Sequence, residues 1–245
     1  MDELARTGSD VAGIVTSAEQ KGDTFVVNGT KQWVTNGMTA DYCTAVVRTG
    51  GPGKDGISVL VIPLNSKGVT RTEIRNSGVE LSAFNHERLW IANNCLRLAR
   101  VCIEDAYQHA TTRHTFGKPL IERQVIRLKF ANVGMQVTST YALIESLVQL
   151  ANNSRQQGVD EASTPVGGLC ALAKVNAARA LELAVRESQQ ILGALGYTRG
   201  GGGPGERIER ISRDVRVLVI GGGSEEILSE MCLMQESKDL KKILA

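Results

Sequence analysis

The sequence predicts an α+β chain, with an antiparallel β-domain over residues 1–78 followed by an antiparallel helical bundle over residues 79–245. Three observations lead there. Short β-branched runs broken by Gly, Asn and Pro fill the chain up to Ile74. After Asn76-Ser77-Gly78 the apolar spacing changes to steps of three and four. Long helical stretches joined by short loops then continue to the end, as in a bundle of antiparallel neighbours. At 245 residues with 42% hydrophobic content, the chain is long enough to bury a substantial core.

The β elements come first. Thr24-Phe25-Val26-Val27, Asn28-Gly29 and Thr30-Lys31-Gln32-Trp33-Val34-Thr35 predict a hairpin, because a two-residue type I′ turn needs positive φ twice and Asn-Gly tolerates it. Further strands are predicted at Tyr42 to Arg48, Ile57 to Ile62 and Val69 to Ile74. They are separated by the turn chemistry of Gly50-Gly51-Pro52-Gly53 and Asn65-Ser66-Lys67-Gly68.

The helices follow. Ile91, Cys95, Leu98, Cys102 and Ala106 draw one apolar stripe on a helix from about Asn85 to about Thr112. Pro119 suits the first turn of a second helix running to about Asn153, with Val125, Leu128, Met135 and Ile144 along it. Ser163-Thr164-Pro165 begins a third, which continues to Gly193. Glu206 to Val219, with Ile208, Ile211, Val215 and Leu218 as its inner face, and Glu225 to Met234 complete the set.

Composition excludes several classes of function. A formal charge of +2 without any long like-charge block gives no basic stripe for nucleic acid. Apolar stretches such as Ile57 to Leu64 are too short to cross a bilayer, so no membrane insertion is expected. Met1-Asp2-Glu3-Leu4 reads as no secretory or transit signal, and Ile243-Leu244-Ala245 as no peroxisomal address. Cys43, Cys95, Cys102, Cys170 and Cys232 form no C-x-x-C pair, which fits a reducing compartment and no zinc site. His86, His109 and His114 lack metal-ligand spacing, so no metal is expected.

Four places could carry chemistry. Trp33 and Thr35 are alternate residues of one predicted strand and share a face, which suits a planar polar ligand or simply covers a hydrophobic sheet face. Glu87 lies four residues before Ile91, in line with the apolar stripe. Desolvation there raises a carboxylate's proton affinity, as a general base acting on a weak carbon acid needs. The other reading of Glu87 is a first-turn acid that complements the helix dipole and pairs with a cation such as Arg88. Arg113-His114-Thr115-Phe116-Gly117-Lys118-Pro119 joins two helices. Arg113 there is either a bidentate phosphate ligand or part of a turn stapled by Phe116. The run Gly200-Gly201-Gly202-Gly203-Pro204-Gly205 reads as a flexible loop rather than a phosphate cradle, since no strand precedes it and no Lys-Ser/Thr follows.

Together, five segments resemble the acyl-CoA dehydrogenase family in its own order. They are Thr7-Gly8-Ser9-Asp10-Val11, Asn28 to Gly37, Asn85-His86-Glu87-Arg88, Arg113 to Pro119 and Gln190-Ile191-Leu192-Gly193-Ala194-Leu195-Gly196-Tyr197. The resemblance implies a partial middle β-domain over 1–78 and a C-terminal helical-bundle domain over 79–245. FAD is held between such domains, and dimer partners share it. Residue by residue, it implies that Trp33 packs against the isoalloxazine, Thr35 meets the flavin near N5, and Ser9 lines the flavin and acyl-thioester site. Arg113 and Gln124 reach the FAD of the neighbouring subunit, Gln190 and Gly193 hold its adenosine end, and Ser224 approaches from the last loop. The implied reaction is FAD-dependent α,β-dehydrogenation of an acyl-CoA. The implied partners are a second or further copies of the chain, as dimer or tetramer, and an electron-transfer flavoprotein.

Many members carry the base in a Tyr-Glu-Gly-Thr segment before the last helix, where this chain aligns Gly222. Other members place it in the helix after the β-domain, at the position of Glu87, and there Arg88 matches a family arginine near the substrate. Both the stripe and the resemblance therefore converge on Glu87. The matching begins after the family's N-terminal helical domain, and only Arg75 to Ala83 stands where further strands are expected. The chain thus reads as a truncated member in which activity is impaired. A non-catalytic remnant associating with a full-length homologue or another partner is the alternative, and a flavin-dependent acyl-CoA or nitroalkane-type oxidase a further one. Relatives work in mitochondria, peroxisomes and bacterial cytoplasm, so the compartment stays open.

Overall fold

Alternating apolar positions early and helical ones later divide the molecule into two units, Met1–Asn76 and Ser77–Ala245. The computed structural model describes residues 10–32, 34, 36–72, 85–157, 166–200 and 203–244.

In the first unit, β1 (Ser17–Lys21), β2 (Thr24–Asn28), β3 (Tyr42–Arg48) and β4 (Ile57–Pro63) form one sheet in the order β2-β1-β3-β4. Two antiparallel pairs build it. Ser17 stands opposite Asn28 and Lys21 opposite Thr24, while Tyr42 stands opposite Pro63 and Arg48 opposite Ile57. A single parallel pairing of Ser17 with Arg48 joins the two pairs. Alternation puts Ala18, Ala45 and Val47 into a small core, with Val27, Cys43, Leu60 and Ile62 around it. Arg48 gathers the neighbouring loops. Its Nε donates to the Ile14 carbonyl at 2.8 Å, Nη2 to Ala12 at 2.6 Å, and Nη1 to Gly53 at 3.0 Å.

The predicted Asn28-Gly29 hairpin is not formed. The partner of β2 precedes it, with the chain turning at Gly22 and Asp23, and Asn28 ends β2 without the positive φ that a type I′ turn requires. Gly29 serves a different need, since a Cβ built on it would lie 2.5 Å from Thr16 Oγ1. The backbone passes too close there for any side chain. Residues 30–32 and 34 form no strand, and neither do 69–72. The remainder of the predicted strand Val69 to Ile74, together with Trp33 and Thr35, lies outside the described residues.

In the second unit, α1 (Asn85–Thr112) leads into the short hairpin of β5 (His114–Thr115) and β6 (Lys118–Pro119), which turns at Phe116 and Gly117. A 3₁₀ turn at Leu120–Glu122 precedes α2 (Gln124–Gln156), and α3 (Gly167–Leu192) ends in a second 3₁₀ turn at Gly193–Gly196. Last come α4 (Pro204–Ile220) and α5 (Glu225–Leu244), the latter continuing past its predicted end at Met234. Pro119 does not open α2. It belongs to β6, and the Leu120 amide donates to the Arg113 carbonyl at 2.8 Å, which closes the hairpin and delays the helix to Gln124. The predicted start of α3 at Ser163-Thr164-Pro165 lies outside the described residues.

The predicted stripe on α1 faces the core, where Ile91, Cys95, Cys102 and Ala106 are all buried. They meet Ala173, Ala177, Ala180 and Ala184 of α3, which packs against each of the other four helices. Alanines at the contact let helix axes approach closely. On α2 the inner face is Ile126, Phe130, Val133, Val137, Ile144 and Leu147, whereas Val125, Leu128 and Met135 are exposed.

One ion pair fastens α1 to α4. Arg207 Nε donates to Asp105 Oδ2 at 2.9 Å, with Asp105 3% and Arg207 56% exposed. Replacing Arg207 with Leu leaves a buried carboxylate with its partner gone. Solvent already screens the half-exposed guanidinium, so the loss should be about 1–3 kcal/mol. Urea unfolding of the variant against the parent measures it, and an unchanged midpoint would rule the pair out as a tie.

Candidate functional site

Glu87 sits in the first turn of α1, on the line of the buried stripe. The residue is half-buried and its Oε2 lies out of contact with solvent. Beside it, Arg88 Nε donates to the Gly222 carbonyl at 3.1 Å. Burial lowers the affinity of that guanidinium for its proton, and the neighbouring Cys170 works weakly the other way.

Gly222 belongs to the turn between α4 and α5. Its φ of 70° and the 114° of Gly223 lie in the left-handed region that favours glycine. A Cβ at Gly222 would lie 2.9 Å from Ile91 Cδ1 and 3.7 Å from Arg88 Cγ. The glycine turn therefore rests on the same turn of α1 that carries Glu87, and it offers neither the backbone geometry nor the room for a side chain.

The two acids after the turn are otherwise engaged. Glu225 accepts from Arg179 Nε at 2.9 Å. Glu226 is exposed, and its own amide, then the Ser224 hydroxyl, hold its carboxyl below the usual range. Ser224 thus serves the start of α5, where the Leu228 amide also donates to its carbonyl at 3.0 Å.

Under the turn lies a residue that the sequence reading did not single out. Lys174 of α3 is 0% exposed, and its Nζ donates to the carbonyls of Val219 at 2.5 Å and Gly223 at 2.9 Å. The available signal was a lone cation within Ala171-Leu172-Ala173-Lys174-Val175. Desolvation pushes the amine down to about 8. Burial also pushes the thiols of Cys95 and Cys102 up to about 12, which leaves no ready thiolate in this core.

Other predicted residues gather elsewhere in the unit. Gln190 and Gly193 line a groove of about 600 Å³ at the end of α3, together with Glu182, Arg186, Gln189 and Tyr197. Arg113 and Gln124 are both exposed and flank the β5–β6 hairpin. Phe116 at its tip is 97% exposed and staples nothing into the core; Arg123 holds the hairpin instead, donating to the Thr115 carbonyl at 2.7 Å with its guanidinium 5.7 Å from the Phe116 ring. Glu87 and Arg88 share no lining residue with the groove. Ser9, Trp33 and Thr35 lie outside the described residues. Among the described residues no three His, Cys, Asp or Glu side chains converge as metal ligands, and no helix is long and apolar enough to cross a membrane.

Comparison with known proteins agrees with this architecture. Residues 77–235 match the model of the acyl-CoA dehydrogenase C-terminal domain, and residues 3–89 that of the acyl-CoA dehydrogenase middle domain. An acyl-CoA dehydrogenase of Alternaria alternata is 56% identical over 265 residues, covering 96% of this chain and 61% of its own length. A probable acyl-CoA dehydrogenase from Mycobacterium abscessus is similar in structure, with a TM-score of 0.81 and 34% identity over 96% of this chain and 66% of its own. A glutaryl-CoA dehydrogenase from Mycobacterium smegmatis, solved in complex with FADH2, has a TM-score of 0.75 and 25% identity over 98% of this chain and 64% of its own. The fold is therefore the α+β arrangement of flavin-linked dehydrogenases that end in a helical domain. This chain belongs to the acyl-CoA dehydrogenase family. It spans 61% of the Alternaria relative, and the shared span of 265 residues is longer than the 245 of the chain, so the relative carries residues inside that span that this chain lacks.

The depressed proton affinity of Lys174 has a consequence for stability. The native state releases this proton near pH 8 and the unfolded chain near 10.5, so the unfolded state holds more protons between those values. The Lys174 contribution is then full above 10.5 and lost as the pH falls through 8. Chemical denaturation of parent and Lys174→Met across that window should give a stability difference that rises with pH in the parent's favour. A flat difference would mean that the amine titrates normally.

Proposed function

We propose that the chain carries out, or contributes to, FAD-dependent α,β-dehydrogenation of an acyl-CoA with Glu87 as the general base. The observation that carries this reading is the contact of Gly222 with the Glu87 turn. The loop position that bears the base in many family members here has no carboxylate and rests on Ile91 and Arg88, one turn from an acid on the buried stripe.

In this reading Glu87 takes the α-proton of the thioester onto a carboxylate oxygen, and the electrons of the broken α C–H bond become the α,β double bond. FAD, when bound, supplies the two-electron acceptor for the hydrogen that leaves the β-carbon with its bonding pair. Arg88, fixed on the Gly222 carbonyl, stands beside the base as a substrate-site residue. Glu87 is half-buried with Oε2 out of contact with solvent, so the carboxylate meets the substrate rather than bulk water.

The donor set of the helical unit fits the cofactor's polar end. The Gln190 amide, the Tyr197 ring and the Arg186 guanidinium, which also pairs with Glu187, line a groove of suitable size for an adenosine moiety, while the Gln189 amide is held on the Gly196 carbonyl. The exposed Arg113 and Gln124 are placed to meet a diphosphate held by a second copy. The exposed Val125, Leu128 and Met135 of α2 support association with that copy. Trp33 against the isoalloxazine, Thr35 near N5 and Ser9 at the thioester rest on the family resemblance alone. So does an electron-transfer flavoprotein as the final acceptor.

The residues that this chain lacks inside the span shared with the Alternaria relative support a second reading, a non-catalytic chain that associates with a longer homologue. Titration with FAD separates the two: stoichiometric uptake with a flavin spectrum that bleaches on adding acyl-CoA fits the enzyme, and a flavin-free oligomer fits the remnant. In an active preparation, Glu87→Gln should lower turnover by about 10²–10⁴-fold while the bound-flavin absorbance stays. Turnover at the parent rate would remove Glu87 as base.

A further inference from the structure

We infer that Lys174 is a positioning residue for the Glu87 site, holding the Gly221–Ser224 turn against the first turn of α1. The inference rests on the reading of Glu87 above and adds a residue that the family resemblance did not assign.

Three backbone carbonyls around the turn are held by two cations that come from different helices. From α3, the Lys174 ammonium takes the carbonyls of Val219 and Gly223; from α1, the Arg88 guanidinium takes that of Gly222. Val219 lies in the last turn of α4, where carbonyls lack intrahelical donors. Its bond to Lys174 therefore ends the helix against α3, and the Gly223 bond ties the far side of the turn to the same point.

The glycines make such a clamp necessary. Gly222 and Gly223 adopt two consecutive positive φ values, and glycine loses more conformational freedom than any other residue when it is fixed. Apolar contact can supply little, because neither residue has a side chain and the wall they form is bare backbone. That wall faces Ile91 and Arg88, the neighbours of Glu87 on α1. Movement of the turn would open the space around the carboxylate and change both its desolvation and the room left for a substrate.

A cation is an expensive choice at this position. From Leu169 to Val175 the other residues of α3 are Leu, Cys, Ala and Val, and a buried charge is commonly no better for stability than a well-packed apolar residue of similar volume. What Lys174 adds is direction: an ammonium with fixed acceptors specifies where the turn sits.

The test is amide hydrogen exchange with steady-state kinetics on Lys174→Met, which keeps the length and removes the donor, and Lys174→Gln, which retains a shorter donor. Exchange is read on the apo chain and on the FAD-loaded chain, and butyryl-CoA is the kinetic probe. In Lys174→Met the amides from Gly221 to Leu228 should exchange about tenfold faster or more, with protection in α1 and α3 unchanged. kcat should fall about 10–100-fold with KM within about threefold, the pattern of a displaced reacting group rather than lost binding. Lys174→Gln should fall between parent and Met variant. Unchanged exchange at the turn in a folded variant overturns the inference, as does faster exchange with unchanged kcat. Loss of protection throughout α1 and α3 in both variants also overturns it, since Lys174 then acts on the whole bundle. Glu87→Gln is measured alongside. If that variant keeps its turnover, the base reading falls by itself and the exchange and kcat outcomes for Lys174 are read as before. If the parent shows no turnover, exchange alone decides, faster exchange confined to the turn supporting the clamp and its absence overturning it.

Discussion

The close approach of α1 to α3 is the constraint on which the helical unit depends. Ala173, Ala177, Ala180 and Ala184 are all fully buried and recur at helical spacing, facing the stripe of Ile91, Cys95 and Cys102. Small side chains on one helix and medium ones on the other leave little space to slide or rotate, since interiors are packed as densely as organic crystals. With that interface set, the first turn of α1 and the end of α4 are brought to one end of the bundle. Glu87 and the glycine turn come together there.

Polar groups then specify what apolar packing leaves free. Asp105 with Arg207, Lys129 with Glu187, and Lys174 with two carbonyls each join different helices, and each has a buried member. Each costs stability if one partner is removed, yet none is a large gain over a well-packed apolar pair once desolvation is counted. Their effect is geometric, because a buried charge with its partners in place accepts few alternative arrangements. The groove at the end of α3 is different in kind. It is open, and Glu182, Arg186, Gln189 and Gln190 line it beside Val185 and Val215.

Much of the architecture was legible in the sequence. The strands from Tyr42 and from Ile57 and the long helix from Asn85 to Thr112 stand where alternation and stripe put them, because a half-buried strand and an amphipathic helix impose their period on the residues. Asn28-Gly29 misled, since its turn chemistry is real but the competing partner, Ser17–Lys21, lies on the other side of the strand. Pro119 misled for a related reason: a proline that suits a helix start also suits a short strand without an amide to donate, and the hairpin closed first. Glu87 was half-visible from its place on the stripe. Lys174 was passed over because a single lysine in an apolar run reads like any other until its acceptors are known.

By itself, then, the sequence determined the family, the order and type of most elements, and the presence of an acid on a buried helical face. These follow from local periodicity and from motifs that keep their spacing along the chain. Tertiary structure alone decided that the turn at Gly222 rests on the turn of α1 bearing Glu87, and that a lysine from a third helix holds it there. Those residues are far apart along the chain, and their meeting depends on how closely alanine lets two helices approach, a distance that no spacing within one segment encodes.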